Sequence, residues 1–153
     1  MAGTLTSHEI FGFLTPDQVN AISERAEHLS FEAGENVYMK GDDARNFFIV
    51  LDGEVTLRLP GQGEMCIVID QLGRGDVFGG PLGGQRQTYL LTAHCTQDAT
   101  VLRIENSVMR SLMEQDQRMG YHLQSHISEA YYNRYVDTMK KLQSIVMSIP
   151  VEA

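Results

Sequence analysis

Glycine-centred turns recur through the middle of this chain and constrain its fold more than any other feature. Glycines at positions 34, 41, 53, 63 and 75 follow one another at intervals of 7 to 12 residues. The segments between them are short and rich in β-branched and aromatic residues, which favour strands. Turns at this spacing are typical of a compact antiparallel barrel or sandwich.

Six strands are predicted between and after these turns. Their ranges are 37–40, 46–51, 54–59, 65–72, 87–93 and 99–104. The pair Asp52-Gly53 predicts a tight hairpin, because glycine tolerates the positive φ that such turns require. Phe47, Ile49 and Leu51 alternate along one predicted strand, which indicates a shared buried face.

A helix is predicted before the strands, starting at Thr15-Pro16-Asp17-Gln18. Thr15 can cap this helix, proline suits its first position, and Gln18 stands at the capping-box spacing. Val19, Ile22, Ala26 and Leu29 then form one apolar face. After Ile104 the pattern becomes helical again, in a short helix at about 106–115 and a long one at about 117–147.

The long C-terminal helix carries an apolar stripe that predicts a partner surface. At about 45 Å it is longer than one small domain needs to cover itself. We expect a homodimer through this helix, with Arg134 and Thr138 as interruptions that leave a second arrangement open, in which the stripe folds back over its own barrel. The predicted interface residues are Met119, Leu123, Ile127, Tyr131 and Leu142.

Length and charge limit the organisation and the partners. A chain of 153 residues with 42% hydrophobic content supports one domain, 1–153, with a helix and β-roll at about 11–105 and C-terminal helices at 106–148. The 12 basic and 20 acidic residues give a net charge of −8. Such a surface repels a phosphate backbone, so no direct nucleic-acid partner is expected.

The cysteines and the hydropathy pattern predict a cytoplasmic protein. Cys66 and Cys95 are the two cysteines, and their separation offers neither a disulfide framework nor a metal or redox motif, so both are predicted to be buried free thiols. The N-terminus lacks the basic start of a signal peptide, and no run of about 18 apolar residues occurs. No membrane segment is expected.

Catalytic and metal sites are not predicted. His122 and His126 are four residues apart and could share a helix face, but no third ligand follows from the spacing. There is no Gly-x-Ser-x-Gly elbow, and neither cysteine has an activating neighbour. The acidic pair Asp42-Asp43 lies in a predicted turn. The chain is therefore predicted not to be an enzyme and to hold no metal.

Three motifs in this chain resemble the cyclic-nucleotide-binding domain of bacterial catabolite-activator-like regulators. They are Phe31-Glu32-Ala33-Gly34-Glu35 with Gly41-Asp42, the segment FFIVLDGEV at 47–55, and the segment LGRGDVFG at 72–79. The resemblance covers about residues 11–147 and suggests a stand-alone form without a DNA-binding module. It implies an α+β, mainly β fold: a double-stranded β-helix, or jelly-roll-like β-roll, with an N-terminal helix and a long C-terminal helix.

The resemblance also implies a site for a cyclic nucleotide such as cyclic AMP, from which this sequence departs. In the family, a Phe-Gly-Glu motif binds the ribose through its glutamate, and a downstream arginine pairs with the phosphate. Here Phe78 and Gly79 match, but Gly80 replaces the glutamate, and a charge-assisted bond of about 1.5 to 3 kcal/mol is lost. The arginine position falls near Tyr89 or Leu90, whereas the nearby arginine is Arg86.

The candidate ligand site keeps its glycine-rich backbone despite these departures. Successive N–H groups at 79–84 could attract an anion without a side chain. The candidate residues are Phe78, Gly79, Gly80, Leu82, Arg86, Tyr89 and Leu90.

The sequence leaves three functions open. The first is a regulatory or ligand-sensing protein that signals through its C-terminal helix, with a nucleotide or another small anion as its ligand. The second is a scaffold that binds no nucleotide and docks a partner protein. The third is a transcription-regulator subunit that lacks its own DNA-binding module.

Overall fold

The computed structural model describes residues 14–79 and 87–148, which form a mainly β structure flanked by helices. One short helix precedes the strands and two follow them. In chain order the elements are α1 (Pro16–Ser23), β1 (Glu27–Phe31), β2 (Asn36–Tyr38), β3 (Asn46–Asp52), β4 (Val55–Pro60), β5 (Cys66–Leu72), β6 (Val77–Phe78), β7 (Thr92–Cys95), β8 (Ala99–Glu105), α2 (Asn106–Gln115) and α3 (Gln117–Met147).

The strands form two four-stranded antiparallel sheets, with orders β1-β8-β3-β6 and β2-β7-β4-β5. Neighbours in each sheet are mostly distant in sequence, as in a jelly roll. A tight turn at Asp52-Gly53, where Gly53 has φ +86°, carries the chain from β3 in the first sheet to β4 in the second. A Cβ at Gly53 would collide with the backbone of Asp98 and Ala99. The predicted fold class is confirmed. The predicted hairpin is wrong, because β3 pairs with β6 and β8 whereas β4 pairs with β5 and β7.

The first helix begins as predicted but ends earlier. Thr15 Oγ1 accepts from the Gln18 backbone N–H at 3.2 Å, and Gln18 Oε1 accepts from the Thr15 N–H at 3.0 Å. The capping box is therefore formed. The helix ends at Ser23, so the prediction that Ala26 and Leu29 continue its apolar face is wrong. Leu29 lies in β1 opposite Val101 of β8, where sheet pairing overrides the helical period.

One further strand is displaced from its predicted range. The segment 87–93 was predicted as a strand, whereas β7 spans Thr92–Cys95. Thr88 forms an isolated bridge with Asp43. Among residues 87–90 Tyr89 is buried and the other three are exposed, so Tyr89 packs into the roll although it precedes β7.

The hydrophobic residues form two clusters, one on each side of the first sheet. Phe47, Ile49 and Leu51 face the three helices in what we call the helix-side cluster. Phe48 and Val50 face the second sheet in the roll-interior cluster. The predicted alternation is thus correct for the helix-facing residues, but the intervening residues are buried as well, because both faces of the central strand β3 are covered.

Helix α3 covers its own β-roll with its first half. Met119, Leu123 and Ile127 are 2%, 0% and 4% exposed and belong to the helix-side cluster. Tyr131 packs against the same cluster and is half-buried. These three buried side chains have no surface to offer a second copy, which corrects their predicted place in a dimer interface. Leu142 is 50% exposed.

The two cysteines differ in burial. Cys95 is buried in the roll interior, but Cys66 is exposed, so the prediction of two buried thiols is wrong for Cys66. The reason is that Cys66 opens β5, which lies at the edge of its sheet. Among the described residues no helix is long and apolar enough to cross a membrane.

Candidate ligand site at the edge of the β-roll

The segment that leads to Phe78 and Gly79 is a hydrogen-bonded turn. The Gly73 N–H donates to Asp76 Oδ2 at 2.9 Å. Gly75 donates its N–H to the Val50 carbonyl at 2.8 Å, and Val50 donates its own to the Asp76 carbonyl at 2.9 Å. These bonds hold the turn against β3. As a result β6 starts at a fixed place on the edge of the first sheet.

Phe78 and Gly79 are required by packing at this edge. Phe78 is fully buried, and its ring stacks on Phe48 with centroids 5.0 Å apart. Gly79 has φ +90°, and a Cβ there would lie 2.8 Å from both the Asn46 carbonyl oxygen and a ring carbon of Phe48. Of the candidate site residues, these two are brought together by direct packing on β3.

Tyr89 is a structural residue of the roll interior. Its ring stacks on Tyr38 with a centroid separation of 3.6 Å. Its hydroxyl donates to the Asn46 carbonyl at 2.9 Å and accepts from the Asn46 N–H at 3.2 Å. Burial raises the pKa of both tyrosines, so they stay neutral. Leu90 differs from them, because it is 75% exposed.

The other predicted site residues are outside the part of the chain that the structure describes. They are Gly80, Leu82 and Arg86. Their participation in a site stays a prediction.

Arg134 connects α3 to the strands beside Gly79. Its Nε donates to Asp70 Oδ2 at 2.7 Å, and its Nη2 donates to the Val77 carbonyl at 3.0 Å. The guanidinium also lies 4.8 Å from the ring centroid of Tyr131. The side chains of Arg134 and Asp70 are 16% and 28% exposed, so water screens this ion pair less than one on the open surface.

In the sequence alone, Arg134 is recognisable only as an interruption of the apolar stripe of the long helix. Its bonds to Asp70 and Val77 could have been suspected, because a basic residue stands here on the same helix face as the predicted buried residues. Such a residue needs an acceptor from the surface on which the helix packs. Thr138 is explained locally, because its hydroxyl donates to the Arg134 carbonyl at 2.8 Å.

A second cation extends the attachment of α3 along the edge strand. Lys141 Nζ donates to the carbonyls of Ile69 and Val68 at 3.0 and 3.3 Å. An edge strand exposes unpaired carbonyls, and a lysine that occupies them blocks pairing with another chain. The second half of α3 is therefore held on β5 by polar contacts, in contrast to the apolar packing of its first half.

A cavity of about 360 Å³ opens between α3 and the strands β5 and β6. We call it the roll–helix cleft. Its side chains are polar and acidic, with four carboxylates and one arginine. The lining residues are Asp70, Gln71, Leu72, Asp76, Val77, His126, Glu129, Ala130, Asn133, Arg134 and Asp137.

Metal ligation finds no support in the described residues. No group of three His, Cys, Asp or Glu side chains among them is placed to hold an ion. His94 Nδ1 lies 2.8 Å from Asn36 Oδ1. Burial, followed by the charge of Arg58, lowers the pKa of His94.

The sequence matches one known protein family. The sequence matches the cyclic nucleotide-binding domain over residues 28–116, which is more than half of the chain. The chain belongs to the cyclic nucleotide-binding domain family. No curated protein matched the sequence.

Solved structures with the same fold include two regulators and a putative cyclic nucleotide-binding protein. A putative cyclic nucleotide-binding protein from Geobacter metallireducens is 24% identical, with TM-score 0.69, covering 82% of this chain and 91% of that one. The catabolite activator protein of Thermus thermophilus is 20% identical, with TM-score 0.72, covering 88% and 62%. The global regulator CLP of Xanthomonas campestris is 15% identical, with TM-score 0.78, covering 86% and 65%. The present chain thus spans somewhat less than two thirds of these two regulators.

Within the cyclic nucleotide-binding domain fold, the candidate site residues of this chain lie in three places. Phe78 and Gly79 start the segment at β6, Tyr89 is committed to the roll interior, and Arg134 reaches the same edge from α3. The arrangement can hold a small polar ligand between the roll and the helix.

Proposed function

We propose that this chain is a regulatory, ligand-sensing protein that binds a nucleotide at the edge of the β-roll and signals through α3. The observation that carries the proposal is the bond from Arg134 of α3 to the Val77 carbonyl. Val77 stands two residues before Gly79, where the candidate site begins. A ligand that shifts β6 at the sheet edge therefore also shifts the Val77 carbonyl, to which Arg134 of α3 is bonded.

The mechanism requires a difference in affinity between two arrangements of α3. In the described arrangement the helix is seated on β5 and β6 through Arg134 and Lys141. A ligand that binds better when the second half of α3 is seated, or better when it is released, shifts the population accordingly. The apolar first half keeps the helix on the roll in both cases, so the change is local to the second half.

The ligand class follows from the family and from the neighbours. The family binds cyclic nucleotides, and the Xanthomonas regulator is responsive to cyclic di-GMP. At 15% identity this neighbour supports the fold and suggests a ligand to test. The departures at Gly80 and Tyr89 favour a ligand other than cyclic AMP.

The output surface that we propose is the exposed part of α3 in a homodimer. Leu142 belongs to it, whereas Met119, Leu123 and Ile127 do not. Large hydrophobic side chains accumulate on this half of the helix and can pair with a second copy. The exposed members are Tyr132, Tyr135, Met139, Leu142, Ile145, Val146 and Met147. We place the protein in the cytoplasm, where Cys66 and Cys95 stay reduced.

A second function is favoured by the aromatic packing inside the roll. Tyr38 and Tyr89 stack there, and Phe48 and Phe78 pack beside them. Aromatic side chains thus occupy part of the space inside the roll, which suits a scaffold that docks a partner protein and binds no nucleotide.

The thermal midpoint of unfolding tests the two functions. The protein is heated alone and with about 1 mM cyclic AMP, cyclic GMP, AMP, GMP or cyclic di-GMP, with orthophosphate as the ionic control. A ligand at 100 times its Kd stabilises the folded state by about 2.7 kcal/mol, which raises the midpoint by several degrees. A rise with one nucleotide and none with orthophosphate supports the sensor. No rise with any nucleotide favours the scaffold.

A further inference from the structure

The two sheets of the β-roll meet at two corners where their edge strands do not pair with each other. The orders β1-β8-β3-β6 and β2-β7-β4-β5 place β6 beside β5 at one corner, where α3 and the roll–helix cleft lie. At the other corner β1 pairs with β8, and β2 pairs with β7. The gap between β1 and β2 is therefore not closed by backbone hydrogen bonds of a sheet.

A cavity of about 450 Å³ opens at this second corner, and we call it the corner cavity. Protein pockets that bind small molecules have volumes of about 300 to 1,000 Å³, so its size suits one small ligand. No residue of α1, α2 or α3 lines it, and it shares no lining residue with the roll–helix cleft. Its apolar wall consists of four aromatic and two aliphatic residues, which are Phe31, Tyr38, Phe48, Tyr89, Leu29 and Val37.

The aromatic side chains of the corner cavity differ in exposure. Phe48 and Tyr89 are 3% and 6% exposed. The Tyr38 ring stacks on Tyr89, and its centroid lies 5.7 Å from that of Phe48. Phe31 and Tyr38 are only half-buried, so both keep surface for a ligand. The face of an aromatic ring carries partial negative charge and attracts a cation that lies within about 6 Å of the ring centroid.

Two charged side chains that line the corner cavity are balanced by neighbours. Arg103 Nη2 donates to Glu27 Oε2 at 2.8 Å, and Asp43 Oδ2 accepts from Arg45 Nη2 at 3.2 Å. Each of these pairs is neutral in sum. They therefore add little net charge to the cavity.

Asp42 is a carboxylate of the corner cavity that has no ion-pair partner in the described part of the chain. Its Oδ2 accepts from the Met39 N–H at 3.0 Å, and this donor is neutral. Its carbonyl accepts from the Tyr89 N–H at 2.9 Å, which fixes Asp42 beside the aromatic residues. The cavity thus combines apolar surface, aromatic rings and one net negative charge, which fits a monovalent cation with apolar groups.

We propose that the corner cavity binds a small organic cation with an alkylated ammonium group. The charged group pairs with the Asp42 carboxylate, and its alkyl groups lie against the rings of Phe31 and Tyr38. Such a group buries apolar surface while its charge is attracted by the ring faces. The proposal goes beyond the proposed function, since this site shares only Tyr89 with the candidate nucleotide site.

A chemical-shift titration of the isotope-labelled full chain with choline, tetramethylammonium and dimethylbutanol tests the proposal. The form of dimethylbutanol used has the shape of choline with carbon in place of the charged nitrogen, so it is the neutral matched ligand. Sodium chloride at the same concentrations controls for ionic strength. We expect amide shifts at residues 29–31, 37–43 and 89, and binding of choline about tenfold tighter than that of dimethylbutanol.

Two variants assign the binding to the corner cavity. Asp42→Asn keeps an acceptor for the Met39 N–H but removes the charge, and we expect choline to bind about fivefold more weakly or worse, with dimethylbutanol unchanged. Phe31→Leu keeps apolar volume but removes a ring, and we expect about two- to fivefold weaker binding of both cations. The controls are Asp52→Asn, at the other end of β3, and Tyr132→Leu, which is exposed on α3. The thermal midpoint of each variant shows that it is folded.

Each outcome decides the proposal. Selective weakening of choline in Asp42→Asn and of both cations in Phe31→Leu supports it. Equal affinity for choline and dimethylbutanol overturns the selection of a cation. A preference for choline that survives in both variants overturns the assignment to this cavity, and amide shifts at 126–137 would place the cation in the acidic roll–helix cleft instead. Absence of shifts with either cation overturns the site and leaves the proposed nucleotide binding unaffected.

Discussion

The two halves of α3 have similar apolar patterns and different partners. In the first half Met119, Leu123 and Ile127 are buried against the roll and the other helices. In the second half Met139 and Leu142 are 39% and 50% exposed. One continuous helix of 31 residues therefore passes from a core element to a surface element.

The change occurs at Arg134, where apolar packing gives way to polar attachment. Before this residue the helix lies over the helix-side cluster, which removes apolar surface from water. After it the helix follows the edge strand β5 through hydrogen bonds to Asp70 and to strand carbonyls. An apolar stripe on a helix therefore predicts that this face is buried, but it does not predict whether the partner is the chain's own β-roll or a second copy.

The largest expected effect is in the buried half. Leu123→Ala removes a fully buried side chain and leaves a cavity, so we expect the free energy of unfolding to fall by about 2 to 5 kcal/mol. Leu142→Ala is the matched control and should change it by about 0.5 kcal/mol or less at low protein concentration. Urea denaturation measures both. Equal losses would show that the two halves do not differ as described.

Substitution of Arg134, where the two halves of α3 meet, is expected to have the next largest effect on the free energy of unfolding. Arg134→Gln removes the bonds to Asp70 and Val77, and we expect a loss of about 1 to 3 kcal/mol, since charged hydrogen bonds of partly buried groups are affected. Amide hydrogen exchange should speed up at 135–147 and stay slow at 119–131. Lys140→Gln, an exposed neighbour, is the control. Uniform exchange along the whole helix would contradict a joint at Arg134.

The acid stability of the buried half depends on Asp116. Its carboxylate caps α3 by accepting from the Met119 N–H at 3.1 Å and also accepts from the Gln18 amide at 2.7 Å. These bonds lower the pKa of Asp116 below its ordinary value. The carboxylate therefore stabilises the folded state above the ordinary pKa of aspartate, and this stabilisation is lost as the pH falls through the lower folded value.

Asp116→Asn tests this pH dependence, because asparagine can still cap the helix but carries no charge. The thermal midpoint, followed from neutral to strongly acidic pH, should fall less steeply in the variant than in the wild-type chain. Asp17→Asn, in the first turn of α1, serves as the comparison. Parallel curves for the wild type and Asp116→Asn would exclude this contribution.

The smallest effect on folding and a large effect on assembly are expected at the exposed half. Leu142→Glu places a charge on the surface that we propose for the dimer and should weaken self-association at least tenfold, because a charge buried there costs free energy. Lys140→Glu on the same turn is the control. Sedimentation equilibrium measures both, and an unchanged association constant for Leu142→Glu would place the dimer surface elsewhere.

The local elements of this fold could be predicted from sequence because their causes are local. The capping box at Thr15 and Gln18 and the tight turn at Asp52-Gly53 depend on neighbouring residues. Whether the strands on either side of that turn pair with each other depends on both sheets, and β3 and β4 do not pair. The strand β1 was missed, because Leu29 continues a helical period and becomes a strand only by pairing with Val101. Cys66 was misplaced for a related reason, since edge position is a property of the whole sheet.

The candidate site was predictable in part. Phe78 and Gly79 lie at the edge of the first sheet, and the positive φ of Gly79 explains why glycine is needed there. Their part in a ligand site stays a prediction. Tyr89 was expected near a phosphate contact, whereas its stacking on Tyr38 and its bonds to Asn46 make it a core residue. Arg134 was not assigned to the site, because its partners Asp70 and Val77 are more than 50 residues away in the chain.

The sequence by itself determined where this chain turns, where its first helix begins, and which family it resembles, because glycine conformations and capping residues act over a few residues. Tertiary structure alone decided that one half of α3 is core and the other is surface, and that Arg134 meets Asp70 beside Val77. Burial and ion pairing depend on segments that are distant in the chain and come together only when both sheets and the helix have packed.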